Sequence, residues 1–212
     1  MKYVKYSIGL NRNTPIIGLY GESGRYPLAI EMICNGLKFM KRAIKMPTDS
    51  LLHQSYLENL NFSGKNSWWN NCKLTYSKDH TDPSEIDIFK TKIKMQNKFK
   101  IYWHKCLFDD SNKEHGNKLR HYRSFKSNFL KEEYLSKLWY KPYRSSVASL
   151  RLSSHKLHIE TGRYAREGER LPPSQRICKY CTSGLCEDEF HFMIHCDLYK
   201  DFRSDLLNTI KS

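Results

Sequence analysis

Residues 178–196 read CKYCTSGLCEDEFHFMIHC, and this stretch holds four of the seven cysteines in a chain of 212 residues. Taken together, Cys178, Cys181, His191 and Cys196 have the spacing C-x2-C-x9-H-x4-C. A closed set of four cysteine and histidine ligands is typical of structural zinc sites, where the protein fills the whole tetrahedron. The spacing therefore predicts a structural Zn²⁺ that leaves no position for water or substrate.

Two other residues in the stretch compete as ligands. Cys186 lies between the two halves of the motif, and His195 directly precedes Cys196. A ligand at Cys186 would close a tight loop of only four residues after the first cysteine pair. The pattern of residues 187–206 predicts a helix, on which His191 and Cys196 would lie near one face. We therefore prefer the four named ligands, while Cys186 and His195 stay open as alternatives.

The predicted metal also fits the compartment that the sequence indicates. The first 20 residues carry Lys2, Lys5 and Arg12 and have no apolar signal segment, and no apolar stretch is long enough to span a bilayer. We therefore expect an intracellular protein, nuclear or cytoplasmic, without a membrane partner. Disulfides are rare in these compartments, so the cysteines should be thiols or metal ligands. A segment as short as 171–212 would take much of its stability from the ion.

The charge lies mostly ahead of the cysteine motif. The chain has a net charge of +14, from 36 basic and 22 acidic residues. Residues 90–131 hold 12 Lys and Arg against 3 Asp and Glu, whereas residues 171–212 hold 5 against 6. A concentrated basic surface favours polyanions, and nucleic acid is the first candidate. The alternative is a solvated face without a ligand.

Hydrophobic periodicity predicts an all-α fold that consists of a helical domain followed by a small zinc-stapled CCHC module. Gly18 to Gly24 reads as a turn or loop. Weak strand signals and helical spacing predict helices in the following segments: after Pro27 up to Pro47, from Leu51 to Leu60, from Ser67 to Tyr76, in the long stretch that opens at Asp82-Pro83-Ser84 and reaches Leu107, from Leu119 to Trp139, and after Pro142. We divide the chain into a helical region, 1–150, and a basic linker with the zinc module, 151–212.

Two groups of cations are candidate nucleic-acid contacts. The first lies on the long predicted helix that reaches Leu107, opposite its apolar stripe, and the second lies in the irregular stretch before the cysteine motif. Tyr164, Tyr180 or Phe192 could stack on unpaired bases, although core packing is the more common role for each of these side chains. The candidate contacts are Lys90, Lys94, Lys98, Lys105, Arg151, Lys156, Arg163, Arg166 and Arg170.

The C-terminal part resembles a known family. The run from Leu150 to Tyr164 and the motif around Cys178, Glu187 and Tyr199 are similar to the region before and within the Cys/His cluster of LINE-type, non-LTR retrotransposon reverse transcriptases. The stretch Gly21 to Leu28 also resembles the segment that follows their polymerase. The resemblance is most specific over residues 150–200. It implies that the zinc ligands are those named above, and that the chain grips template RNA or target DNA beside the polymerase domain of the same element.

The chain departs from that family in one large respect. A reverse transcriptase holds two metals on paired carboxylates that follow an aromatic residue and one further residue. The only Asp-Asp pair here is Asp109-Asp110, whose nearest aromatic residue, Phe108, is one place out of register. We therefore expect no enzyme activity from this chain on its own. The rival interpretation is a zinc-stapled helical module that binds protein, which the near-neutral charge after residue 170 favours.

Overall fold

The computed structural model of the chain describes residues 2–61, 85–111, 117–164 and 170–211. Within these ranges the fold is mostly helical, and the only pairing of extended backbone is an isolated antiparallel bridge between Ile177 and Cys186. The α-helices are α1 (Lys2–Ile8), α2 (Ile16–Ser23), α3 (Leu28–Ile44), α4 (Leu51–Asn61), α5 (Ile88–Leu107), α6 (Tyr122–Phe125), α7 (Tyr134–Lys137), α8 (Lys141–Arg151), α9 (His158–Thr161) and α10 (Lys200–Lys211). The expectation of a helical fold is confirmed. The helix predicted from Ser67 to Tyr76 lies outside the described residues.

Contacts divide the chain into two compact units. One unit consists of Met1–Arg25 together with Trp103–Ser212, and the other consists of Tyr26–Tyr102. This grouping differs from the division at residue 150, which separated the chain by expected role and stays a prediction. In the described segments, no helix is both long enough and apolar enough to cross a membrane.

The smaller unit has its core between α3 and α4. Along α3, buried side chains recur every three or four residues, which places Ile30, Cys34, Leu37, Met40 and Ala43 on one face. Tyr56 from α4 and Ile86 from the segment before α5 complete this core. Leu28 and Met32 lie on the opposite, exposed side of α3, at 72% and 64% exposed.

The larger unit is built around α2, and here the sequence prediction was wrong. The stretch from Gly18 to Gly24 was expected to be a loop, but Ile16–Ser23 is helical and Leu19 is fully buried. The glycines in this helix permit close approach by neighbouring side chains. A Cβ atom on Gly18 would lie 2.6 Å from Leu152 Cδ2, and one on Gly21 would lie 2.6 Å from the Tyr122 hydroxyl. The glycines therefore serve packing, and only Gly24 ends the helix.

A second difference concerns residues 119–139, where one helix was predicted. The structure has two short helices, α6 and α7, with extended backbone at Lys126 between them. Lys126 is buried and its ammonium donates to the Leu130 carbonyl and pairs with Glu132. In a continuous helix the Leu130 carbonyl would instead accept a hydrogen bond from the backbone amide four residues later. The burial of Phe129 against Trp103, with ring centroids 5.2 Å apart, fixes the break.

Candidate metal centre and basic surfaces

The two ligands of the C-x2-C pair lie on a turn that the isolated bridge closes. The Cys178 amide donates to the Leu185 carbonyl at 2.8 Å, and the Glu187 amide donates to the Arg176 carbonyl at 2.9 Å. Gly184 makes the turn possible with a φ of 68°, a left-handed conformation that favours glycine. This short ladder presents Cys178 and Cys181 on the same side of the turn.

His191 begins a π-helical turn, His191–His195, and Cys196 directly follows this turn. The Cys196 amide donates to the His191 carbonyl at 2.8 Å, which is the i to i+5 bond that defines this wider helix. The predicted helix across 187–206 is therefore wrong in detail, because backbone at Cys196 is extended and α10 begins only at Lys200. In this wider turn, residues five positions apart lie closer to one face than they would in an α-helix. The turn therefore explains how His191 and Cys196, with four residues between them, can approach the same point.

These local structures bring all four predicted ligands together. The ligand atoms of Cys178, Cys181, His191 and Cys196 lie within 4.8 Å of one another. The sulfur atoms of Cys178 and Cys196 are 4.0 Å apart, and Cys181 Sγ is 3.3 Å from His191 Nε2. The arrangement could hold a metal ion.

The environment of the cluster differs from one thiol to the next. Cys178, Cys196 and His191 are buried, and Cys181 is half-buried. Burial raises the pKa of Cys178 to about 11. Hydrogen bonds from the Ser183 hydroxyl and amide lower the pKa of Cys181 to about 6. Since the thiolate is the form that binds metal, Cys181 is the thiol best prepared for an incoming ion.

The two competing ligands are engaged elsewhere. The Cys186 thiol donates to the Pro173 carbonyl at 3.3 Å. His195 is exposed, and its ring lies edge-on to Phe190 with centroids 5.0 Å apart. Neither side chain belongs to the group of four.

A buried ionic network holds the metal-binding segment against the rest of its unit. Glu189 lies only two residues before His191. Its two carboxylate oxygens accept hydrogen bonds from Arg120 Nη2, at 2.7 and 2.9 Å, and one of them also accepts from the Ser153 hydroxyl. Burial alone would raise the pKa of Glu189, but the hydrogen bond from His155 and the charge of Arg120 lower it to about 2. Sequence reasoning missed this network because its members come from three separate segments.

A second carboxylate strengthens this anchor. Glu160 is buried and pairs with Arg120 at 3.0 Å and with Lys118 at 3.5 Å. Backbone bonds add to it, since the Ile159 amide donates to the Glu187 carbonyl at 3.1 Å. Through Arg120, the two carboxylates tie α9 and the metal-binding segment to residues 118–120.

The first predicted group of cations lies on α5, and all four of its members are exposed: Lys90, Lys94, Lys98 and Lys105. At 100° per residue they fall within an arc of about 80°, and they span about 22 Å of helix axis. Lys90 has only a long contact with Asp87, at 3.9 Å. Lys90, Lys94 and Lys98 therefore form a row of positive charge on the exposed side of α5, and the exposed Ile101 separates them from Lys105 on the same arc.

The second predicted group is divided by the structure. Arg151 pairs with Glu22 and Glu132, at 2.9 and 2.7 Å, and Arg163 pairs with Glu160 at 3.3 Å. These two arginines serve the fold. Lys156 and Arg170 are exposed, and Arg166 lies outside the described residues.

The aromatic residues that were candidates for base stacking also differ from one another. Tyr164 is 53% exposed and Tyr180 is 62% exposed. Phe192 packs edge-on against Tyr199, with centroids 4.7 Å apart. Asp109 and Asp110 are exposed just after α5, and Asp110 pairs with Arg123 at 2.7 Å.

Comparison of the chain with protein families, with curated proteins and with solved structures finds no match.

Proposed function

We propose that the cluster of Cys178, Cys181, His191 and Cys196 is a structural zinc site. A zinc–sulfur bond of about 2.3 Å in a tetrahedron implies sulfur atoms about 3.8 Å apart, close to the 4.0 Å between Cys178 and Cys196. The mixed thiolate and imidazole set suits zinc and does not suit calcium or magnesium, which prefer oxygen. Four protein ligands leave no open coordination position, so the ion would stabilise the turn and take no part in a reaction.

The metal hypothesis is tested by metal analysis of matched cysteine variants. The wild-type chain should contain one zinc ion, and Cys181→Ser should lose it because a serine hydroxyl is a poor zinc ligand. Cys186→Ser should keep the ion, since that thiol donates to a carbonyl outside the cluster. Retention of zinc by Cys181→Ser, or its loss from Cys186→Ser, would contradict the ligand set.

We propose further that the chain binds nucleic acid, and the exposed row of lysines on α5 is the observation that carries this proposal. Four exposed ammonium groups on one arc of a helix match a row of backbone phosphates, and their neutralisation releases counterions. The net charge of +14 agrees with this ligand class. Lys156 and Arg170 offer further exposed charge near the metal-binding segment.

The resemblance to LINE-type reverse transcriptases suggests the setting of this activity. It supports a role as the nucleic-acid-binding C-terminal region of such an enzyme, which grips template RNA or target DNA while another domain supplies the catalytic carboxylates. The motif between residues 150 and 200 is what supports the setting. Nucleic-acid binding itself depends on the charged surface and would hold without that resemblance.

The binding hypothesis is tested by replacing Lys90, Lys94, Lys98 and Lys105 with Gln. In filter-binding titrations with mixed-sequence RNA and DNA, the slope of log affinity against log salt should fall by about 3 units, at ~0.7–0.9 per lost phosphate contact. Circular dichroism should be unchanged because all four side chains are exposed.

An unchanged salt slope would show that these lysines are only solvated. If the wild-type chain bound no nucleic acid at all, a module that binds protein would become the better interpretation.

A further inference from the structure

A second positively charged site lies within the unit formed by residues 1–25 and 103–212. It is a cleft of about 330 Å³ between α1, the end of α2, α7 and α8, within the range of roughly 300–1,000 Å³ that ligand pockets occupy. The side chains that line it include three cations and no carboxylate. They are Tyr3, Val4, Ser7, Ile8, Ser23, Arg25, Lys131, Leu135 and Arg144.

The backbone around Gly24 places two of these cations together. Gly24 has a φ of 60°, and a Cβ atom there would lie 2.4 Å from the Lys131 amide nitrogen. The Glu132 amide donates to the Glu22 carbonyl at 2.9 Å, which holds this loop against the end of α2. Arg25 and Lys131 therefore meet at one wall of the cleft because only glycine fits between them.

The cations of the cleft have no anionic partner in the described part of the chain. Arg25 and Lys131 are exposed, and Arg144 is half-buried with its Nε buried and without a hydrogen bond. Other cations in this unit, such as Arg123, Lys126 and Arg151, each pair with a carboxylate. Because three like charges around one cleft repel each other, an anion placed among them would be stabilised.

Exposed tyrosines lie on the two helices that contribute to the cleft: Tyr3 lines it, while Tyr6 and Tyr143 are next in the chain to the lining residues Ser7 and Arg144. Tyr3 is 80% exposed, Tyr6 is 74% exposed and Tyr143 is 65% exposed. The two helices that carry them are joined, since the Ser145 hydroxyl donates to the Gly9 carbonyl at 2.9 Å and Lys141 Nζ lies 4.6 Å from the centre of the Tyr6 ring. Large exposed apolar groups gathered in one region mark a binding surface.

We propose that this cleft binds single-stranded nucleic acid, with backbone phosphates at Arg25, Lys131 and Arg144 and unpaired bases on Tyr3 and Tyr143. The inference rests on the proposed nucleic-acid binding and adds a site and a preference for single strands. Cationic grooves that combine phosphate contacts with exposed rings bind single strands because each unpaired base offers a face for stacking. In a duplex the bases stack on one another and their faces are not available.

The charge of the cleft is tested with the full chain and three probes: a 20-nucleotide oligo(U), an oligo(dT) of equal length and a duplex of that length. In the variant Arg25→Gln/Lys131→Gln/Arg144→Gln, the salt slope for the single strands should fall by about 2 units, at ~0.7 for each lost contact. The matched control Lys38→Gln/Arg42→Gln/Lys45→Gln removes the same charge from exposed positions on α3 and should leave the slope nearly unchanged.

The rings are tested with Tyr3→Leu/Tyr143→Leu, which keeps apolar bulk at two exposed positions. Loss of stacking should weaken binding of the single strands at least about five-fold and leave duplex binding unchanged. In the wild-type chain, an oligo(U) that carries photoreactive 4-thiouridine should crosslink to peptides that contain Tyr3 or Tyr143, a readout that does not depend on how any variant folds.

The outcomes separate this inference from the proposed function. If the wild-type chain binds and the cleft variant matches the α3 control, the cleft is wrong while nucleic-acid binding stands. If the wild-type chain binds none of the three probes, both fall. Equal weakening of single-strand and duplex binding in the tyrosine variant, or competition by polyglutamate as strong as that by oligo(U), would overturn the choice of a single strand.

Discussion

Glu22 has no exposed surface, yet both of its carboxylate oxygens have partners. Arg151 donates to them through Nε at 3.0 Å and Nη2 at 2.9 Å, and the Tyr134 hydroxyl donates at 2.5 Å. Burial and the charge of Glu22 raise the pKa of Tyr134, so its hydroxyl stays protonated as a donor. A buried charge without such partners would be strongly destabilising.

Arg151→Met should therefore lower the free energy of unfolding by about 3–5 kcal/mol, because it leaves Glu22 charged and buried without its main partner. The matched control is Lys137→Met, which breaks a pair whose side chains are 73% and 80% exposed and should therefore change the stability far less than Arg151→Met. Chemical denaturation measures both. Similar losses in the two variants would contradict a special role for the buried pair.

At the scale of single residues, the sequence predicts some of the interacting side chains and gives no indication of others. The four candidate metal ligands are identified by residue type and short spacing, because the C-x2-C turn and the x4 step are local. Glu22 and Arg151 are separated by 129 residues, and neither has a neighbour that indicates the other. Because its partner is so distant in the chain, Arg151 was predicted to be a basic residue available to nucleic acid.

Helix α2 differs from the other long helices in how it packs. Its glycines allow rings to approach the backbone, so that a Cβ on Gly21 would lie 2.6 Å from the Tyr122 hydroxyl and 2.9 Å from Trp103 Cζ2. Both rings are nearly or fully buried, and the Trp103 indole donates to the Ile17 carbonyl at 3.0 Å. Neither ring has space to move aside.

Gly21→Ala should reduce the stability of this unit. The added methyl group overpacks the site at a cost of about 1–3 kcal/mol, which outweighs the gain of about 1 kcal/mol from the higher helix propensity of alanine. The double variant Gly21→Ala/Tyr122→Phe removes the hydroxyl that lies closest and should lose less than the sum of the two single variants. Thermal unfolding followed by near-UV circular dichroism measures each variant. Strict additivity would show that the hydroxyl is not the obstacle.

Elements were predicted well where one apolar face repeats at helical spacing, as in α3, α4, α5 and α8. Prediction failed where tertiary contacts decide the backbone. Gly18 and Gly21 look like loop residues until the side chains that pack against them are known. The break at Lys126 depends on the burial of its ammonium, which binds the Leu130 carbonyl and Glu132. The π-helical turn at His191 has no distinct sequence signal apart from the x4 spacing.

For the molecule as a whole, the metal-binding segment belongs to the same unit as α2 and α8, through Glu189 and Glu160. If the cluster holds zinc, as proposed, removal of the ion should therefore be detected beyond the cluster. Arg176 is fully buried and donates to the Leu171 and Ile159 carbonyls at 2.9 and 2.8 Å. The protection of Arg176 from proteases therefore depends on the fold around the turn.

After treatment with a zinc chelator, trypsin should cut after Arg176, which the intact protein protects, because the turn loses the interaction that closes it. Peptide mapping at short digestion times measures the change. Cleavage after Arg42, which is exposed in the other unit, is the internal control and should proceed at the same rate. Unchanged protection of Arg176 would mean that the turn holds without a metal.

The unit that contains α2 is discontinuous in the chain, since residues 1–25 join residues 103–212. During translation, α2 leaves the ribosome long before Arg151 and Leu152, which cover its charged and apolar side chains. Chains fold from the N-terminal end as they are made, and segments that must wait expose apolar surface meanwhile. Until Arg151 and Leu152 have been synthesised, α2 therefore lacks side chains that pack against it in the folded unit.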